Sequence, residues 1–170
     1  IGSLANLDWL SLAINNFTGD IPSEIGNLTK LEVCNLSQNQ LTGEIPSSFY
    51  NLTNLEYLYL HYNQLTGEIP PEIGNLENLK KIVLSNNHLT GVPPEIGNLM
   101  KLHTINIHSN SLEEFPESIC NLPSINWPQM SGNILWDDVT IYNNNLCPDQ
   151  YPSCLDEWYI GYQNCVEGGI

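Results

Sequence analysis

Apolar residues return along this chain in a fixed phrase about 24 residues long. Leu7, Leu10, Leu12, Asn15 and Phe17 recur as Leu31, Cys34, Leu36, Asn39 and Leu41, then as Leu55, Leu58, Leu60, Asn63 and Leu65. They recur again as Leu79, Ile82, Leu84, Asn87 and Leu89, and as Leu102, Ile105, Ile107, Asn110 and Leu112. Within each phrase the centre alternates, as in Leu10-Ser11-Leu12, which is the period of a strand with one buried face. Stacking the phrases therefore predicts a parallel sheet, one short strand per unit. The asparagine that follows each strand is expected to turn inward, where its amide pairs with peptide groups that the turn leaves unpaired. The second half of each unit, as in Thr42-Gly43-Glu44-Ile45-Pro46, carries Gly and Pro where the coil bends and a regular element is not expected to continue. Ile45, Phe49 and Leu52 are expected to form the second wall of the core.

At finer grain the runs Phe17-Thr-Gly-Asp-Ile-Pro22, Leu41-Thr-Gly-Glu-Ile-Pro46 and Leu65-Thr-Gly-Glu-Ile-Pro70 repeat almost letter for letter, and Glu-Ile-Gly-Asn-Leu ends at Leu28, Leu76 and Leu99. These residues resemble the plant-type leucine-rich repeat of receptor-like kinase ectodomains and polygalacturonase-inhibiting proteins, a repeat also found in bacterial surface proteins. The resemblance covers residues 1 to about 122. It implies an α/β solenoid, a right-handed horseshoe with a parallel, ligand-facing sheet on the concave face and short 3₁₀ turns on the convex face.

The fourth and fifth units are one residue shorter, with Leu89-Thr-Gly-Val-Pro93 and Leu112-Glu-Glu-Phe-Pro116, so the convex side is expected to tighten there. Past Leu122 two registers compete. Ile125, Met130, Asn133 and Leu135 fit one, and Trp136, Val139, Ile141, Asn144 and Leu146 fit the other. The second is preferred, because Val139-Thr-Ile141 has the better strand composition. The expected organisation is repeats over 1–122, an irregular insertion and last degenerate repeat over 123–146, and a cysteine-containing cap over 147–170.

Composition narrows the partner classes. The 170 residues hold 4 Lys and no Arg against 19 acids, a formal net charge of −15. Nucleic acid is a poor partner for such a chain, since phosphate contacts need Lys or Arg. No Lys follows Lys101 while acids continue to Glu167, which leaves either a solubilising acidic surface or attraction for a cationic partner or divalent ions near that end. No stretch is apolar enough to span a membrane.

Cys34 stands in a column otherwise filled by Leu and Ile, and reads as a small buried hydrophobe without a partner. Cys120, Cys147, Cys154 and Cys165 cluster in the last third, and three pairings are open to them. Plant-type arrays often close with a Cys-x6-Cys cap, and Cys147 to Cys154 has that spacing. The resemblance thus implies Cys147 with Cys154, and Cys120 with Cys165 is the expected second pair. Trp158, Tyr159, Ile160 and Tyr162 could then cover the last apolar face. Disulfides imply an oxidising, extracellular or cell-surface location and a secreted chain. At the other end, Ile1-Gly-Ser-Leu4 is the tail of a repeat phrase, so the sequence is expected to be a piece of a longer array or to have that face covered by another molecule. Four sequons, at Asn16, Asn27, Asn35 and Asn51, are candidate glycosylation sites. Asn27 and Asn51 fall on the convex side and Asn35 on the concave sheet, although Gly-Asn-Leu-Thr is also plain repeat consensus.

Binding chemistry is sought on the outward strand positions. Asp8, Glu32, Glu56, Lys80 and His103 form one column, and Trp9, Val33, Tyr57, Lys81 and Thr104 the next. Ser11, Asn35, Tyr59, Val83 and Asn106 follow, then Ala13, Ser37, His61, Ser85 and His108, then Ile14, Gln38, Tyr62, Asn86 and Ser109. The third unit gathers Tyr57, Tyr59, His61 and Tyr62 on one side, and tyrosines supply stiff, amphipathic contact area. Lys81 is expected beside Tyr57 as a cation on its ring, and Glu56 beside Lys80 as an ordinary ladder pair. Tyr57, Tyr59, His61, Tyr62, Lys81 and His108 are the candidate ligand-binding residues, although aromatic residues also favour strands for stability alone.

Nothing points to an enzyme, a cofactor or a metal. Asp137-Asp138 and Glu113-Glu114 are sequence neighbours that point to opposite faces of an extended chain, and His61 and His108 lie two strands apart. The reading is a non-catalytic extracellular scaffold that binds a protein or peptide on its concave sheet. Its rivals are a structural subunit that self-associates head to tail into a fibre, and a carbohydrate binder or inhibitor of a cell-wall-degrading enzyme.

Overall fold

The computed structural model describes residues 1–124, 139–141, 144 and 152–153. One parallel sheet runs through the described repeats. Its strands are β1 (Trp9–Ser11), β3 (Val33–Asn35), β5 (Tyr57–Tyr59), β7 (Lys81–Val83), β9 (Thr104–Asn106) and β10 (Val139–Thr140), paired in that order. Of the two registers open past Leu122, the sheet takes the one that places Val139 beside Ile105. Opposite the sheet lie five 3₁₀ turns, Ser23–Asn27, Ser47–Asn51, Pro71–Asn75, Pro94–Asn98 and Glu117–Asn121, each entered through a proline in extended conformation. Between the two walls Leu28, Leu31, Phe49, Leu52, Leu55, Leu60, Leu76, Leu79, Leu99 and Leu102 are fully shielded from water. Cys34 belongs to the same core, a free thiol that burial pushes up to about 12.

The segments after Asn15, Asn39, Asn63 and Asn87 depart from expectation. Instead of irregular coil, Thr18–Asp20 (β2) pairs with Gln40–Thr42 (β4), and Thr66–Glu68 (β6) with His88–Gly91 (β8), in two small parallel sheets along the flank. Left-handed glycines in the first three units allow this, with Gly19 at φ 77, Gly43 at 69 and Gly67 at 78. The residue missing from the fourth unit is taken up here, as a shift of register that sets Glu68 opposite Gly91.

The asparagines tie one unit to the next. Asn63 donates Nδ2 to Leu60 O in its own turn and to Leu36 O one unit back, both at 3.0 Å, while its Oδ1 accepts Leu41 N at 3.0 Å. Asn39, Asn87, Asn110 and Asn144 repeat all three bonds. The turns at Asn15, Asn39, Asn63, Asn87 and Asn110 are each completed by a residue in the left-handed region, namely Ile14, Gln38, Tyr62, Asn86 and Ser109, with φ of 54 to 57. None of them is glycine, and Ile14 is β-branched, the least tolerant class at that φ.

On the convex side a glycine column lets successive turns touch. A Cβ on Gly26 would lie 2.3 Å from Ser48 O, and one on Gly97 2.5 Å from Ser118 O. Tyr50 and Cys120 occupy the same column. The Tyr50 side chain is buried with its hydroxyl unpartnered, and burial, followed by the Glu72 carboxylate of the next turn, pushes that phenol above its ordinary range. Cys120 is disulfide-bonded; Cys147, Cys154 and Cys165, and hence the expected pairings, lie outside the described residues. Trp158, Tyr159, Ile160 and Tyr162 lie outside them as well. Ser153 donates its N–H and hydroxyl to the Glu117 carboxylate on the last turn, which holds that carboxyl below its usual range.

Asn63→Ala leaves two buried carbonyls and one N–H short of a partner, and is expected to cost about 2 to 4 kcal/mol in urea unfolding. Asn15, exposed and with its side chain bonded only within its own turn, should lose less than half as much on the same change; equal losses would remove the inter-unit bonds from the account. Ile14→Asn relieves the left-handed strain at a side chain 74% exposed, and a gain of about 1 kcal/mol is expected from the same measurement.

Candidate functional site

The outward side chains of the sheet lie in straight columns because the strands pair without offset, Trp9 with Val33, Tyr57, Lys81 and Thr104, and Ser11 with Asn35, Tyr59, Val83 and Asn106. Strand spacing of about 4.8 Å puts neighbours in a column within contact. In the third unit, Tyr57 and Tyr59 stand half-buried on β5. His61 and Tyr62 come after the strand has ended, where the chain turns left-handed at Tyr62 (φ 54) and throws that ring outward, 56% exposed. The three rings interlock edge to face: Tyr59 and His61 have centroids 6.3 Å apart at 74°, and His61 and Tyr62 5.8 Å apart at 67°.

The cation over Tyr57 is Lys80, not Lys81. Lys80 Nζ lies 2.6 Å from Glu56 Oε2 and 5.9 Å from the Tyr57 centroid. The pair with Glu56 draws the Lys80 stem back toward the third unit, while Lys81 shares a column with Tyr57 without lying over its ring. The hydrogen bond to Glu56 raises the Lys80 ammonium above its ordinary value.

His61 and His108 flank Ser85 in one column, and Ser37 and Ser85 on either side of His61 are buried. Burial lowers the imidazole pKa of His61, and Lys81 lowers it further; burial, then the charge of His61, does the same for His108. His108 Nδ1 is 3.0 Å from Ser109 Oγ, and the exposed His103 has its Nδ1 3.0 Å from Thr104 Oγ1. Burial, with Tyr57 adding to it, raises the Tyr59 phenol. Three polar atoms in this region are shielded and have no hydrogen-bond partner: His61 Nδ1, Asn86 Nδ2 and Asn106 Oδ1. Asn86 and Asn106 entered the sequence reading only as members of their columns, and Lys80 only as the ladder partner of Glu56, a pair the structure contains.

Of the sequon residues, Asn16, Asn27 and Asn51 are exposed. Asn35 lies half-buried on β3, its Oδ1 accepting Ser37 N at 3.1 Å and Ser37 Oγ at 2.7 Å. Among the described residues no three His, Cys, Asp or Glu side chains gather as a metal would need, and no helix is long and apolar enough to cross a membrane. A broad depression of about 950 Å³ lies on the flank away from the sheet, lined by Glu44, Glu68, Glu113 and Glu114 with Pro70 and Pro93. It shares no residue with the aromatic face.

Residues 1–85 match the family described as a leucine-rich repeat region, and residues 77–135 a leucine rich repeat. The structure is similar to the leucine-rich-repeat ectodomain of the plant membrane receptor kinase GASSHO1/SCHENGEN3 from Arabidopsis thaliana, solved in complex with CASPARIAN STRIP INTEGRITY FACTOR 2. The identity is 33% and the TM-score 0.76, over 85% of this chain and 16% of that one. It is similar to the Arabidopsis receptor kinase HAESA, solved with the peptide hormone IDA and the co-receptor SERK1, at 35% identity and a TM-score of 0.76 over 85% of this chain and 23% of that one. The BIR2 ectodomain from Arabidopsis thaliana matches at 30% identity and a TM-score of 0.67, over 85% of this chain and 71% of that one. The chain thus spans less than a quarter of the two longer proteins. No curated protein matches it in sequence.

Because folding lowers the His61 pKa, the unfolded chain takes up that proton at higher pH than the folded one. Stability from this group is present above the ordinary imidazole value of about 6.5 and is lost as pH falls below it. His61→Gln is expected to flatten the fall in urea midpoint between pH 7.5 and 5.5 relative to the unsubstituted chain. An unchanged difference would assign the pH dependence to other groups.

Proposed function

The chain belongs to the leucine-rich-repeat family, and from that premise we propose that it is a non-catalytic extracellular recognition module that takes a peptide or an extended protein segment on its concave sheet. The observation that carries this reading is the edge-to-face set of Tyr59, His61 and Tyr62 beside Tyr57, held by a left-handed turn that the asparagine ladder enforces. The pre-set rings lose little freedom on binding, and aromatic side chains of this kind dominate the energetics of recognition surfaces. The similar receptor ectodomains solved with CASPARIAN STRIP INTEGRITY FACTOR 2 and with the peptide hormone IDA support a peptide as the ligand class, and their being receptor ectodomains supports an extracellular location. For sugar stacking the face is less suited, since Lys80 already engages the ring of Tyr57 and His61 the edges of the other two. A glycan on Asn35 would stand in the column of Tyr59 and obstruct the face, whereas glycans on Asn16, Asn27 or Asn51 would leave it open.

Peptides selected from a random displayed library on the immobilised domain provide the test. Replacing Tyr57, Tyr59 and Tyr62 together with Ala is expected to reduce capture of the selected peptides at least 100-fold, about 3 kcal/mol over three anchors. Little change in the thermal transition is expected, because none of the three is a core residue. Undiminished capture by a folded triple variant would place recognition elsewhere on the chain.

A further inference from the structure

The large exposed apolar side chains of the concave face stand at one interval. Trp9, 63% exposed, shares a column with Tyr57, with one strand between them. At the other border of the face the exposed Ile14 and Tyr62 repeat that interval on their left-handed turns. The strand between offers no matching bulk: Val33, outward on β3, is only 8% exposed, and Gln38 is polar. Two strand spacings make the interval about 9.6 Å. Between the two borders the middle unit is already satisfied, since Asn35 Oδ1 accepts both Ser37 N and Ser37 Oγ. A ligand that crosses there therefore loses little by lacking backbone N–H groups.

The interval selects among ligand conformations. A β-strand laid across the sheet presents alternate residues to one face about 6.8 Å apart, which reaches Trp9 or Tyr57 but not both. Residues on one face of an α-helix recur at about 5 to 6 Å and would set a further side chain over Val33. A polyproline II helix has about three residues per turn and rises about 3.1 Å per residue, so every third side chain returns to the same face after about 9.3 Å, with none between. That repeat agrees with two strand spacings to within about 0.3 Å. Aromatic side chains line the grooves that take such helices, and a helix already formed in solution loses little freedom on docking.

Charge narrows the partner further. The column beside Trp9 and Tyr57 carries Asp8, Glu32 and Glu56. Lys80 occupies Glu56 at 2.6 Å, whereas Asp8 and Glu32, both exposed, have no ion pair among the described residues. The basic side chains of this face, Lys80, Lys81, His61, His103 and His108, lie on or beside β5, β7 and β9, so a patch of opposite sign begins where the aromatic columns end. We propose that the segment of the ligand lying over β1 to β5 is a proline-rich polyproline II helix, which sets every third residue on Trp9 and Tyr57 and carries a lysine or arginine for Asp8 and Glu32. It rests on the concave-face reading and names the conformation, spacing and charge that the ligand presents there; it also adds Trp9 to the contacts. A cation brought to two unpaired carboxylates on a strongly acidic chain is attracted from a distance and fixes which end of the helix meets β1.

The test uses the intact chain and labelled synthetic peptides, with affinity read by fluorescence anisotropy. The first peptide is a short polyproline host with two leucines three residues apart and an arginine at one end. The others move the leucines to two residues apart, replace the arginine with glutamate, or replace the prolines with glycine and serine. The first is expected to bind at least about tenfold tighter than each of the others, and Trp9→Ala, or Asp8→Asn with Glu32→Gln, to weaken it about tenfold. All three substituted positions are exposed, so the fold does not depend on them. Equal binding of the two-apart or glycine-serine peptide would overturn the helix, and indifference to Trp9→Ala, to Tyr57→Ala or to the acid pair would overturn the site. Silent proline peptides together with tyrosine-dependent capture from the displayed library would remove this ligand and leave the concave-face reading standing. Silent proline peptides with capture that ignores the tyrosines would remove both.

Discussion

The asparagine ladder is the constraint on which this molecule turns. Each strand is three residues long at most on the concave sheet, too short to hold its own register, and after it the backbone must reverse with peptide groups pointing into an apolar interior. One side chain per unit resolves both problems. Its amide closes the turn at home and bonds a carbonyl one unit back, and its oxygen takes an N–H of the previous unit's flank, so that units are joined by bonds whose partners are 22 to 27 residues apart for Asn63. The stability of such an array accumulates from neighbour to neighbour, and the ladder is the directional part of that coupling.

The turn that the asparagine enforces also shapes the recognition face. It places the preceding residue in the left-handed region at Asn15, Asn39, Asn63, Asn87 and Asn110, whatever the preceding side chain is. At Tyr62 the outcome is an outward ring packed on His61, whereas at Asn86 it is an amide with an unsatisfied Nδ2. Conformational cost is thereby spent at the rim of the sheet, where side chains meet a ligand, rather than in the core. The convex face follows the opposite logic. There glycine at Gly26 and Gly97 permits backbone contact between turns, and the two positions that break the column, Tyr50 and Cys120, carry respectively a buried ring facing the carboxylate of the next turn and a disulfide sulfur.

Charge is distributed by the same repeat. A strongly acidic chain places most of its few basic groups on one half of one face, and because the columns are straight, this local excess is seen by anything lying across β5, β7 and β9. The Glu56–Lys80 pair sits at the boundary between the acidic and basic halves, takes one lysine out of the patch, and leaves Lys81 as its ammonium. Acidic Glu44, Glu68, Glu113 and Glu114 on the flank keep that surface of the opposite sign.

The repeat register, the inward asparagines, the core positions and the buried free thiol of Cys34 were legible in the sequence, because each follows from a periodicity local to one unit and is reinforced by every other unit. Tyr57, Tyr59, His61 and Tyr62 were legible as neighbours for the same reason. The flank strands were not, since Thr-Gly-Glu and Gln-Leu-Thr become strands only when the left-handed glycines bring two units into pairing distance. Nor was the choice of Lys80 over Lys81 at the Tyr57 ring, which depends on Glu56 one unit earlier pulling one stem and not the other. The three orphaned polar atoms were equally beyond sequence, because whether Asn86 or Asn106 finds a partner is settled by the lean of side chains on adjacent strands, a property of the packed sheet and of no single unit.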